Sequence, residues 1–548
     1  MGYLPRINKH TLPIKLHFFL YTSSVAPITC FSATIAKELG YSPLAVGYIF
    51  MYLYILGMLI KPAVGFIVDK FPIKKFIFMT SIVLCGISSF SLIFVPKIPL
   101  ETAANFTCAL EQTTINICLG NDQQLSECDD SLFADYKKEP ITCKLDCEQN
   151  QSFRDEISKS WNVTDDDSIN KLGVSLIINI TERVEQCFVF PITYSQIGQT
   201  RVLSPVCYHP VENLCKIDCS NDDLMELATS KKFKGNVMKL HTFWLYMTLM
   251  SIAWGSMAVI WCHQDTICLD ILGDKSENFG KLRFWTSVGY GSSSAIGGLL
   301  VDHFSHSGTH KNYTPIYYWG LILIILNFIV AFKLKVIEAK NPKNVFKNVL
   351  QIFTRFHVIS FFLWTVCLGM CTSMLWNYLC WYLDDMAMEY QHGQDWIKTI
   401  QGLTFGIQCL GGEVPFFFFS GWIIKRIGHR HCMSLVLFAF AIRFFLYSIL
   451  TNPFWVLPIE FLSGITYGLA MAVLISYSKC IAPPNTLNSV VGISQGLNDG
   501  VGVSLGALIG GVLYDTYGGS WTFQLFSHAC LSLGILHVVY TLIGKPKI

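Results

Sequence analysis

"GISQGLNDGVGVSLGALIGGVLYD", residues 492–515, is an apolar, glycine-rich run that carries Asn498 and Asp499 near its middle. Such a run is long enough to cross a bilayer, and a carboxylate inside it is costly unless it faces a partner or a cavity. On a regular α-helix Gly492, Gln495, Asp499, Gly502, Gly506 and Gly510 share one stripe. Glycines spaced this way let a neighbouring helix come close. The pattern predicts a membrane helix packed in a bundle, with Asp499 turned to the bundle interior.

The rest of the chain has the same character. Of its 548 residues 52% are hydrophobic and 14% charged, and the mean hydropathy is +0.43. A soluble domain is about a quarter charged. The net charge of +2 offers nothing to nucleic acid. Twelve apolar runs of spanning length are read, near 15–37, 44–69, 75–95, 240–264, 284–302, 315–336, 357–383, 397–423, 431–450, 454–479, 488–514 and 520–543. The first is too long for a signal-peptide core and lacks a small-residue cleavage site, so it reads as a retained helix. An all-α polytopic membrane protein is expected, with helices 1–3 in 1–96, helices 4–6 in 239–336, a linker at 337–356 and helices 7–12 in 357–548.

Basic residues orient it. One set of loops holds Lys70, Lys74 and Lys75, then Lys275, Lys281 and Arg283, then Lys333 to Arg355, then Lys425, Arg426 and Arg430, whereas 384–396, 451–453 and 515–519 have neither Lys nor Arg. Both termini are therefore expected in the cytoplasm. The loop 97–238 holds nine of the 20 cysteines: Cys108, Cys118, Cys128, Cys143, Cys147, Cys187, Cys207, Cys215 and Cys219. It also holds sequons at Asn105, Asn150, Asn162 and Asn179, and a fifth, Asn312, lies in the next loop on that side. Sequons and charges thus point to one face, and the loop reads as an oxidised, glycosylated ectodomain with at most four internal disulfides. Lys144 and Asp146 in it read as a solvated surface. The irregular cysteine spacing argues against a metal site.

"GFIVDKFPIKK" (65–75) ends helix 2 with Gly65, Asp69, Lys70, Lys74 and Lys75, and "GWIIKRIGHR" (421–430) ends helix 8 with Gly421, Lys425, Arg426, Gly428 and Arg430. A basic turn repeated six helices later implies two six-helix halves, each with a gate element where cations meet helix C-termini and a glycine admits a close neighbour. "LIKPAVGFIVDKFPIKK", "NFGKLRFWTSVGYGSSSAIGG", "AIRFFLYSI" and "VLYDTYGG" resemble the oligosaccharide–proton symporter branch of the major facilitator superfamily. "GEVPFFFFSG", "GITYGLAMAVLISY" and "DGVGVSLGALIGG" resemble the superfamily's domain-containing protein 6 group, the macrophage MHC class I receptor 2 homologues. The resemblance spans the helices but not 97–238, and implies the two-half facilitator fold.

Ionisable residues inside the helices are the candidates for function: Lys61, Asp265, Arg283, Glu413, Arg443, Glu460 and Asp499, with Gln495 beside the last. The resemblance matches Arg283, Arg443 and, by spacing, Asp265 to symporter residues, and Glu413 to within a turn of a helix 8 acid. Arg and carboxylate together make the fixed, charge-assisted bonds that suit a polyhydroxylated solute. Glu460 lies two turns into its helix, within reach of the interface. The pattern also departs from the symporters: Gly468 and Met471 stand where a His and an acid are kept, Asp499 replaces a lysine, Lys61 replaces a glutamine, and helix 7 offers Asn377 instead of acids. Lactose-like specificity does not follow, and any proton coupling falls to Asp499 or Glu413.

Other chemistry finds little support. His263 with Cys262 is a single pair at a helix end and reads as packing or interface; no phosphate-cradling loop, nucleophile with a base, or cofactor motif is present. Phe416 to Phe419 reads as packing or lipid contact. The expected protein is a non-enzymatic transporter in the bilayer, at the plasma membrane rather than in endosomes, moving a sugar- or nucleoside-like solute by alternating access with protons. The rival expectation is a cell-surface receptor whose 97–238 loop takes an extracellular protein ligand.

Overall fold

In lipid a backbone must bond to itself, so long apolar runs can only be helices or a closed barrel. The structure, a computed structural model, describes residues 11–71, 73–98, 102–118, 141–148, 150–163, 171–176, 182–184, 187–198, 200–220, 224–225, 237–272, 279–305, 311–334, 336, 356–389, 393–482 and 487–543. The chain forms two units, Met1–Lys97 with Val237–Ile548, and Ile98–Asn236. The first is helical. Among its described residues eight helices are long and apolar enough to cross a membrane, or up to ten if each of two bent pairs counts as one span. The 26-residue helix Phe279–Phe304 packs among them. Val490–Ile543 counts as one run of 54 residues. Within it, Gly518 leaves the helical region at φ 76, ψ 175, a conformation glycine adopts freely. The linker expected at 337–356 lies outside the described residues up to Phe356.

The bends have local causes. Pro27 sits inside Leu12–Cys30 and cannot donate to the Ser23 carbonyl. Ser293 of Phe279–Phe304 donates to that carbonyl instead, at 2.5 Å. The chain then turns by 40° into Ser32–Glu38. Three further helices carry π-turns, at Gln408–Glu413, Gly464–Leu469 and Gly496–Gly502. Each inserts a residue and re-aims the side chains beyond it. The single stripe expected along 492–515 is therefore split. Beyond the turn, Cβ atoms on Gly502, Gly506 and Gly510 would lie 2.5, 2.6 and 2.7 Å from Val366 O, Met370 O and Tyr378 Cε2. Before it, Gly492 and Gly496 have no neighbour within 4 Å of that position. Asn498 becomes the wholly buried residue, and Asp499 keeps 43% of its side chain exposed.

The two halves of the helical unit approach closely at one end. A Cβ on Gly298 would fall 2.1 Å from Lys398 O, one on Gly402 2.4 Å from Ser294 O, and one on Gly47 2.8 Å from Ala507 O. Lys37 pairs with Asp385 at 2.5 Å, Tyr514 donates to Asp385 at 2.6 Å, and Thr399 N–H donates to Asp302 at 2.6 Å. Lys398 and Gln401 both donate to Asp384 at 2.7 Å. At the opposite end Gly65 and Gly421 have nothing within 4 Å of a Cβ position.

Ile98–Asn236 is a sheet of eight strands: β1 (Ala103–Cys108), β2 (Thr113–Cys118), β3 (Ile141–Cys147), β4 (Lys171–Leu176), β5 (Glu182–Val184), β6 (Cys187–Ile197), β7 (Thr200–Leu203) and β8 (Val211–Cys219). The antiparallel path β2-β1-β8-β3-β4-β6 is closed by a β2–β6 pairing, so six strands form a ring. Alternation drives it: β3 and β8 bury every second residue, including Cys143, Cys147, Cys215 and Ile217. Phe106, Phe153 and Trp161 pack in the same core. Disulfides join Cys108 to Cys207, Cys143 to Cys219 and Cys147 to Cys215. Cys118 stands opposite Cys187 in register, and Cys128 lies outside the described residues. Lys144 and Asp146 are exposed opposite Asp218 and Lys216. Glu156 accepts from His209 N–H at 2.9 Å and Ser160 at 2.8 Å, and these bonds hold its carboxyl below the usual range.

Candidate functional site

Charged residues from both halves form two neighbouring pairs. Arg283, five residues into Phe279–Phe304, donates from Nη1 to Asp265 Oδ2 at 2.9 Å, joining it to His241–Leu272. Lys61 of Pro43–Lys70 lies 3.9 Å from Asp499 of the Gly496–Gly502 turn, which crosses from one half to the other. Lys61 is also within electrostatic reach of Asp265. All four side chains are 29–43% exposed. Asp499 further accepts from Asn498 Nδ2 at 2.7 Å.

Aromatic and amide groups complete this cluster. Tyr467 lies within electrostatic reach of Glu413, Asp499 and Arg283, and its ring is 6.1 Å from Trp376. Tyr54 donates to Asn377 at 3.4 Å and feels the Asp499 charge. Sequence reading singled out the ions and Asn377 but passed over Tyr467 and Tyr54, because a tyrosine in an apolar run has no pattern separating it from packing. Gln495 is half-buried on the same helix.

Glu413, Arg443 and Glu460 form a second, drier group. Arg443 and Glu460 are wholly buried and bonded, Nη2 to Oε2. Arg443 also donates from Nε to Tyr447 Oη and from Nη1 to Thr466 Oγ1, both at 2.8 Å, and Tyr447 donates to Glu460 Oε1 at 2.5 Å. Every arm of this fan is used. Glu460 thus lies inside the protein, not at the interface within reach of its sequence position, since Arg443 and Tyr447 hold its carboxylate. Glu413 is buried nearby, within electrostatic reach of Arg443 and Glu460, yet it takes part in none of the ion pairs among the described residues. Glu413 therefore lies beside the pair without joining it.

The remaining candidates spread along the molecule. Lys74 pairs with Asp270 at 2.9 Å, within its own half. Lys425 and Arg426 are exposed, and Gly428 ends its helix at φ 86. The Asp69 and Lys70 side chains lie outside the described residues, as does Asn179. Asn105, Asn150, Asn162 and Asn312 are exposed. His263 is buried with Nδ1 2.8 Å from Val259 O. No group of three metal-ligating side chains occurs among the described residues. Phe418 and Phe419 are 67% and 61% exposed.

A family model described as "MFS_1 like family" matches residues 11–525. The chain belongs to the MFS_1 like family. Among curated relatives it is 24% identical over 294 residues to a "Major facilitator superfamily domain-containing protein 6-like" of Danio rerio, covering 52% of each chain. It is 22% identical to a "Maltose permease" of Geobacillus stearothermophilus, covering 52% of this chain and 67% of that one. The chain thus spans about half the length of the domain-containing protein 6-like relatives it matches. The fold is similar to the crystal structure of the nucleoside transporter NupG, with a TM-score of 0.61 at 12% identity over 98% of this chain and 100% of that one. This MFS_1 like chain is a multi-pass membrane protein of the facilitator fold.

Proposed function

We propose that the protein is a secondary active transporter that moves a small polar solute, sugar- or nucleoside-like, by alternating access with protons. The observation that carries this reading is the Lys61, Asp265, Arg283 and Asp499 cluster: paired charges from both halves, inside apolar helices and partly exposed. A solute at this cluster would meet carboxylates, a guanidinium, an ammonium and the Tyr467, Tyr54 and Trp376 rings, which together bind hydroxyls and an apolar ring face. The family membership and the relatives named for maltose and nucleoside transport agree with a polar solute of that size.

Twelve spans and cytoplasmic termini complete this reading. Val490–Ile543, at 1.5 Å per residue about 80 Å long, exceeds twice the ~30 Å hydrocarbon core and breaks at Gly518. Counted as two spans, and with Phe279–Phe304 added to the ten, it gives twelve. The end with Lys74, Lys425 and Arg426 then faces the cytoplasm, and the exposed sequons face outside. Proton coupling is assigned to Glu413, buried beside the Arg443–Glu460 pair but in none of the ion pairs among the described residues, or to Asp499.

The test is a thermal-shift screen of purified protein against sugars, nucleosides, amino acids and organic anions at acidic and neutral pH. Wild type and Asp499→Asn are run side by side. Ligand at 100 times its Kd stabilises by about 2.7 kcal/mol. A sugar or nucleoside hit that weakens at least tenfold in Asp499→Asn supports the site. A hit of equal affinity in both proteins removes Asp499 from it.

A further inference from the structure

Inside the N-terminal half, four polar side chains meet within an apolar shell. His17, Gln264 and Asn327 are wholly buried, and so is Tyr21. His17 Nδ1 lies 2.7 Å from Asn327 Oδ1, Tyr21 stacks on the His17 ring at 5.8 Å, and Gln264 lies beside that ring outside hydrogen-bond geometry. Phe18, Phe78, Ile260, Ile267 and Ile324 close around them. His17 Nε2, Tyr21 Oη, Gln264 Nε2 and Oε1, and Asn327 Nδ2 are all buried without a hydrogen-bond partner. Burying such atoms without a partner is costly, so a folded chain normally supplies one.

We propose that His17, Tyr21, Gln264 and Asn327 build an internal water site. The inventory of donors and acceptors selects the ligand. Asn327 Oδ1 accepts from His17 Nδ1–H, which leaves Nε2 of the neutral ring as an acceptor, and Gln264 Oε1 is a second acceptor. Water donates to these two and accepts from Asn327 Nδ2–H and Tyr21 Oη–H. A metal or ammonium ion would face the amide and phenol donors, and a bare anion would face two lone pairs. Asp265 Oδ1, on the residue after Gln264, is the next buried atom without a partner.

Millisecond X-ray hydroxyl-radical footprinting of the full-length protein in ¹⁸O-labelled water tests this, since radicals form at bound water regardless of surface exposure. Tyr447 is the control: it is equally buried, but its hydroxyl is bonded to Arg443 and Glu460. Tyr21 and His17 should take up ¹⁸O several-fold faster than Tyr447. In Gln264→Leu and Asn327→Leu, Tyr21 should fall to the Tyr447 rate while Tyr447 itself stays unchanged, which also reports that the variants are folded. Equal rates for Tyr21 and Tyr447 in the wild type overturn the proposal, whatever the variants do.

Discussion

Arg443 illustrates how much a single residue commits. Its guanidinium serves Glu460, Tyr447 and Thr466 at once, and Tyr447 closes the loop onto Glu460. Removing one partner of a buried pair leaves the other charge uncompensated, at a cost of about 3–5 kcal/mol. Arg443→Met is expected to lose that much in thermal unfolding. Arg443→Lys should recover less than half of it, because an ammonium cannot reach three acceptors in one plane. A lysine variant as stable as wild type would show that charge alone suffices. Glu413 behaves differently: it is outside this fan, so Glu413→Gln should unfold within about 1 kcal/mol of wild type. Its effect should appear in the pH dependence of solute binding, and an unchanged pH profile would remove it from proton coupling.

At the scale of elements, glycines divide into those that hold the halves together and those that do not. Gly298→Ala would drive a methyl against the Lys398 carbonyl and Gly402→Ala against the Ser294 carbonyl, both backbone atoms that cannot step aside. Each should destabilise by about 1–3 kcal/mol. Gly421→Ala meets nothing within 4 Å and should gain up to about 1 kcal/mol of helix stability. Thermal unfolding of the three variants decides it; losses of equal size would mean that Gly421 is also packed. These contacts also explain what was legible. The row Gly502, Gly506, Gly510 announced a close helix neighbour, and one is there. The π-turns were hidden, since they depend on which carbonyl a neighbour satisfies, as Ser463 does for Gln408 O at 2.8 Å.

For the molecule as a whole, the contacts between halves cluster at the end carrying Asp302, Asp384, Asp385 and Lys398. Asp385 alone ties Lys37 of the N-terminal half to Tyr514 of the C-terminal half. Asp385→Ala should therefore release this end. Spin labels at Tyr48 and Trp396, both exposed near it, should show a longer distance population by pulsed electron resonance. An unchanged distance distribution would mean that the glycine contacts close the end by themselves. None of these acids stood out in the sequence, because they sit at helix ends, where a carboxylate beside water needs no explanation.

Composition and hydrophobic length alone determined the membrane class and the helical runs, since lipid leaves a backbone few choices. Family likeness together with spacing brought Arg283 and Asp265 together, two residues whose helices are neighbours in the chain. What only the tertiary structure decided is pairing across distance. Lys61 with Asp499, Arg443 with Tyr447 and Glu460, and His17 with Asn327 join helices whose order in space no local pattern records. The ring of strands in Ile98–Asn236 belongs with these. Its alternation is visible in "ITCKLDC" and "VENLCKIDC", but which strand lies beside which depends on closing a core. Burial selects such partners only once the elements have met, because a charge or a polar edge costs little in the open chain and several kcal/mol when enclosed alone.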